Sequence, residues 1–202
     1  MMKKAASLIS YLFHPLTIPT LATFIFINIA SYWFMLTDKG QYVILSIVFI
    51  FTFLLPAVSV PLYLYFRLIN RPEMDSPRER IFPLIFTTLF YYGAYYMLNS
   101  LPLPGFFKGF MLAAIIIIVL VLIVTFFWKI SAHLAAIGGF AGSIVAFSLR
   151  YEAPVIYLIM AVFIVSGIVA VARIIKEAHN PLQVYTGWIL GFVISFLLVF
   201  YY

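Results

Sequence analysis

Near the end of the chain, Arg173 is followed after five residues by His179, and after three more by Gln183. Two other polar groupings interrupt an otherwise apolar sequence: Arg71, Arg78 and Arg80, and then Lys129, Ser131 and His133. Arginine has a planar fork that binds phosphate oxygens in pairs. Histidine serves as nucleophile or as proton donor near neutral pH. Cleaving a phosphate ester needs charge stabilisation on the non-bridging oxygens, an in-line nucleophile and an acid for the leaving oxygen. These residues supply all three, provided that the fold brings them together.

The elements that must position them are membrane helices. The chain has 202 residues, 66% hydrophobic and only 9% charged, with a mean hydropathy of +1.16. A water-soluble domain carries about 25% charged residues. With no cysteine there is no disulfide framework, thiolate nucleophile or thiolate metal site. The formal net charge of +6 comes from bases scattered between apolar runs rather than gathered in a stripe. That distribution argues against nucleic acid and for lipid phosphates.

Apolar runs long enough for a span of about 20 residues lie near Ile18–Leu36, Tyr42–Phe66, Phe82–Leu101, Phe106–Trp128, His133–Leu149, Pro154–Ala172 and Leu182–Tyr202. They are continuous rather than alternating, so helices and not a barrel are implied. The expected fold is an all-α polytopic transmembrane bundle of about six or seven spans. Residues 1–202 form one integral membrane domain, with the chemistry-bearing core at about 70–202. Met1–Phe13 reads as an interfacial lead-in with no small-residue cleavage site. Two spans separate the Arg71–Arg80 segment from Lys129–His133, and two more separate that from Arg173–His179. Even crossings put all three groupings, and His14, on one membrane face.

Local signals refine the last grouping. Asn180–Pro181 reads as a helix N-cap with proline at the first helical position, placing His179 where helix N–H groups favour an anion. Gln183 lies four residues beyond His179, within reach to orient the imidazole. Gly187 and Gly191 form a small-residue face for close packing, and Gly138, Gly139 and Gly142 do the same for the fifth run. Lys3, Lys4, Arg67 and Lys176 read as interfacial anchors. His14 beside Pro15 reads as an interfacial turn residue.

These three groupings resemble the motifs of the type 2 phosphatidic acid phosphatase superfamily: Lys-x6-Arg-Pro, Pro-Ser-Gly-His and Ser-Arg-x5-His-x3-Asp. Here the third is Ala172–Arg173-x5-His179-x3-Gln183, the second Ile130–Ser131–Ala132–His133, and the first Arg71-x6-Arg78 followed by Glu79. The resemblance implies a phosphohistidine mechanism. His179 would attack phosphorus and His133 would protonate the leaving alkoxide, with Gln183 in the place of the orienting aspartate. Arg71, Arg78, Arg80, Lys129, Ser131 and Arg173 would hold the phosphoryl group, with no metal and no cofactor.

The function expected is hydrolysis of a lipid phosphomonoester or diphosphate. The alternative is a weak or inactive lipid-phosphate binder or transporter, prompted by Gln183. The expected partners are a lipid phosphate substrate and membrane lipids, not nucleic acid, and the expected location is a bacterial inner (plasma) membrane. Transferases that hold a diphosphate through magnesium need carboxylate clusters, and this chain has six acidic residues and no aspartate-rich motif.

Overall fold

The computed structural model describes residues 2–34, 36–70 and 76–202. Among the described residues there are eight helices and no strand. They are α1 (Met2–Leu12), α2 (Ile18–Phe34), α3 (Asp38–Tyr65), α4 (Pro77–Asn99), α5 (Gly105–Thr125), α6 (Ala132–Tyr151), α7 (Ile156–Ile175) and α8 (Pro181–Tyr201). Six of them, α3 to α8, are long and apolar enough to cross a membrane. The first expected span is the 17-residue helix α2, apolar but shorter than the rest.

Caps and prolines explain the boundaries. Thr37 caps α3 by accepting the Gly40 N–H at 3.2 Å, and Ser76 caps α4 by accepting that of Glu79 at 3.4 Å. α3 widens into a π-helical turn at Ile50–Leu54, immediately before Pro56. A proline cannot donate to the carbonyl four residues back. The π-turn lets Leu55 N–H bond Ile50 instead, so the helix passes through. Pro61 follows within the same helix.

α6 and α8 form the tightest contact in the bundle. A Cβ on Gly191 would meet the Ala135 carbonyl oxygen, and one on Gly187 that of Ser131, at 2.6 Å. Reciprocally, Gly138 faces the Trp188 carbonyl and Gly142 that of Phe192. Contact numbers rise together on the two helices, so they run parallel with backbones touching, as small residues permit without a hydrophobic driving force. Phe26 is fully buried and packs edge-on against Phe106, Phe110 and Phe140, giving the centre of the bundle its rigidity. At the end remote from His179, Arg150 donates to the Val199 carbonyl at 2.9 Å.

α1 is amphipathic, burying Ala6 and Ser10. It lies along α7, where Lys3 pairs with Glu177 at 2.9 Å. The expected lead-in is therefore a docked helix that forms part of one wall of the bundle.

Candidate functional site

The even-crossing rule is realised in three dimensions. One cavity of about 230 Å³ is lined at one end by His14, Arg80, His133, Arg173 and His179. These come from the α1–α2 connection, the start of α4, the start of α6, the end of α7 and the residue before the α8 cap. Among the described residues no carboxylate lines it. It is a cationic cup set into an apolar bundle, the electrostatic form that an anion requires.

The five-residue gap between Arg173 and His179 has a structural cause. Glu177 adopts a left-handed conformation (φ 55°), ending α7 and reversing the chain. Ala178 N–H then bonds the Arg173 carbonyl at 3.2 Å, folding the connection back on itself. Asn180 and Pro181 start α8 as the sequence predicts. Asn180 Oδ1 accepts from Gln183 N–H at 2.9 Å, and Gln183 Oε1 accepts from Asn180 N–H at 3.2 Å, closing a capping box.

That box fixes the chemistry of His179. Because Gln183 Oε1 already accepts a backbone N–H, it acts as an acceptor toward the imidazole too. His179 Nδ1, at 3.1 Å, must therefore be the donor. The Lys129 carbonyl, at 3.3 Å, accepts from the same nitrogen. The proton sits on Nδ1, and Nε2 carries the lone pair. Burial lowers the pKa of His179 to about 4, with the nearby charges of Arg173, Arg80 and Lys129 adding to the effect against the opposing Gln183 bond. At neutral pH the ring is uncharged.

His133 Nε2 donates to the Ser10 carbonyl at 3.1 Å. Nδ1 is the nitrogen left for chemistry, and it bears a proton only when the ring is an imidazolium. His14 packs edge-on against His133, with ring centroids 5.5 Å apart. Its Nδ1 accepts the Leu16 N–H at 3.3 Å, so the neutral ring carries its proton on Nε2. Burial, then the charge of Arg173, lowers the His14 pKa to about 4. Reading His14 as an interfacial turn residue missed its place in the cup. The signal was available, since all three histidines fall on one face by crossing parity.

Arg173 is 9% exposed, and its Nε has no hydrogen-bond partner. A buried guanidinium is costly unless something anionic satisfies it. The other expected residues are placed as follows. Lys129 contributes its backbone carbonyl behind His179, and its side chain is not part of the cavity wall. Ser131 is fully buried outside the cavity wall and donates its N–H to the Gln183 carbonyl at 3.2 Å. Arg78 is exposed at the start of α4 and outside the wall. Glu79, in the register of the expected proline, accepts from Asn70. Arg71 lies outside the described residues. Among those described, no group of three or more His, Cys, Asp or Glu is arranged to hold a metal ion.

Comparison with protein-family models, curated proteins and solved structures finds no match.

Proposed function

We propose that this integral membrane protein is a lipid phosphate phosphatase, a divergent member of the type 2 phosphatidic acid phosphatase superfamily acting through a phosphohistidine. The observation that carries the reading is His179. Its proton is held on Nδ1 by Gln183 and Lys129, leaving the lone pair on Nε2, and the residue lines a cavity that also contains Arg80 and Arg173, whose Nε has no hydrogen-bond partner. Helical spans fit a plasma membrane rather than an outer-membrane barrel, and a bacterial inner membrane is the proposed location.

In this mechanism Arg173 and Arg80 hold the non-bridging oxygens, and His14 donates Nε2–H to one of them. His179 Nε2 attacks phosphorus, forming the P–N bond as the P–O ester bond breaks. A phosphate dianion beside His133 favours its imidazolium form, and Nδ1–H of that ring protonates the leaving alkoxide. The lone pair now on His133 Nδ1 takes a proton from water as the water attacks phosphorus. The P–N bond breaks and inorganic phosphate leaves.

Purified protein in detergent should release phosphate from a panel of lipid phosphates. His179→Ala should abolish that release, and equal rates would refute the nucleophile. One feature favours a second reading, a lipid-phosphate binder or transporter: His133 commits one nitrogen to Ser10, so the proton donor must be recruited by the ligand itself. Tight binding without phosphate release from any member of the panel would support that reading.

A further inference from the structure

The cavity does not end at the histidines. It continues into the bundle among α2, α3, α4, α5 and α6, past Leu84 and Val121, to a floor formed by Tyr91, Phe110 and Phe140. On α4, Arg80 at the mouth and Tyr91 at the floor are eleven residues apart, about 16 Å at the rise of a helix. On α6, His133 and Phe140 are seven apart, about 10 Å. The passage therefore reaches about halfway through a hydrocarbon core of about 30 Å.

Its wall is mostly apolar. Of its five hydroxyl residues, Thr87 turns its Oγ1 onto the Pro83 carbonyl at 2.7 Å, and Thr125 turns its own onto that of Val121 at 2.6 Å, so neither of these two needs a ligand; the others are Tyr63, Tyr91 and Ser195. Ala114, Ala136 and Gly139 keep the passage open where larger side chains would close it. At about 230 Å³ the whole cavity falls below the roughly 300–1,000 Å³ of sites that enclose a drug-sized molecule. A cationic mouth above a narrow, mostly apolar well complements an anion on a single hydrocarbon chain.

We propose that the well receives the tail of a single-chain lipid phosphate, which binds head at the histidines and tail inward, inside the bundle rather than in the surrounding bilayer. This rests on the mouth being a phosphate site. A lipid with two chains would have to leave at least one of them outside. Substrates of the monoacyl or prenyl type are thus preferred over diacyl ones.

Alkylphosphonates test the proposal independently of turnover, because their C–P bond is not an ester. The protein is placed in nanodiscs, and affinity is measured for inorganic phosphate, butylphosphonate and dodecylphosphonate. Each methylene buried from water is worth about fourfold in affinity. Dodecylphosphonate should therefore bind at least about tenfold more tightly than butylphosphonate even after bilayer partition takes its share. Ala114→Trp plugs the lower well. It should erase that margin while leaving butylphosphonate within about twofold, which also shows that the variant is folded. Should Ala114→Trp fail to fold, Phe110→Leu lowers the floor instead and should shift the preference toward longer chains. A margin that survives the plug, or a preference unmoved by Phe110→Leu, overturns the proposal, since bilayer partition then explains chain length. Equal binding of dodecylphosphonate and inorganic phosphate overturns it too. Binding that behaves as expected, without phosphate release from dodecyl phosphate, refutes the phosphatase reading and leaves the well intact.

Discussion

Replacing Gln183 by glutamate tests the site at its most informative atom. Glutamate keeps the side-chain length and is a preferred partner in a capping box, so the Asn180 turn should survive. The change puts a carboxylate oxygen where Gln183 Oε1 now stands, 3.1 Å from His179 Nδ1. An ion pair about 4 Å apart is worth about 4 kcal/mol at an effective dielectric constant of 20, and desolvating the new carboxylate offsets part of that. An opposite charge at this range shifts a pKa by about 1–3 units. The His179 ionisation, at about 4 in the native protein, should therefore rise to about 5–7.

Protonation destroys the nucleophile, so activity is lost as pH falls through that value. Phosphate release measured as kcat/KM from pH 4 to 8 should show no acid-side loss down to about 5 in the native protein. In Gln183→Glu it should begin to fall near neutrality. At pH 8 the variant should gain only about tenfold or less. In a serine-protease triad, an aspartate-to-amide change costs about 10⁴ in turnover through the wrong tautomer. Here Asn180 N–H already holds Gln183 in the orientation that gives the right one. An acid limb that does not move would mean that His179 is not the titrating nucleophile. A gain of about 10⁴ would mean that the native tautomer is not locked.

Other consequences are open to measurement. Arg173→Met removes a buried, incompletely bonded cation; it should stabilise the unliganded protein by about 1 kcal/mol or more in thermal unfolding while abolishing phosphate binding. His14 and His179 are both held neutral, at about 4 against an ordinary 6.5. The unfolded chain therefore binds protons first, and unliganded stability should be complete above pH 6.5 and decline as pH falls toward 4, with added phosphate opposing the decline. Gly191→Ala should destabilise by about 3 kcal/mol, because its Cβ would collide with the Ala135 carbonyl. Gly167→Ala, where nothing lies within 4 Å of the added carbon, should be neutral or stabilising by up to about 1 kcal/mol in the same assay.

The convergence of Arg80, His133, Arg173 and His179 was legible because each apolar run reverses the chain, so parity alone sorts helix ends onto faces. The Asn180 cap was legible because capping is local. Parity puts His14 on the same face, but its packing against His133 was not legible, since that depends on α1 docking along α7 and presenting the Ser10 carbonyl to His133, a long-range contact with no spacing signature. Lys129 acts on His179 through its charge, as a basic residue can be expected to, and also through a backbone carbonyl bond that composition cannot reveal. The chamber beneath the cup was invisible for another reason. Helices as uniformly apolar as α5 carry no polar stripe to mark which side faces a neighbour and which a void.

The backbone contact between α6 and α8 divides the molecule mechanically. His133 and His179 ride on two rods locked together at Gly138, Gly142, Gly187 and Gly191, and cannot separate without tearing that seam. The opposite wall belongs to α3 and α4, where a π-turn and Pro56, Pro61 and Pro83 interrupt the regular ladder. A doorway that admitted a lipid from the bilayer would fall to that softer side, leaving His133 and His179 in register.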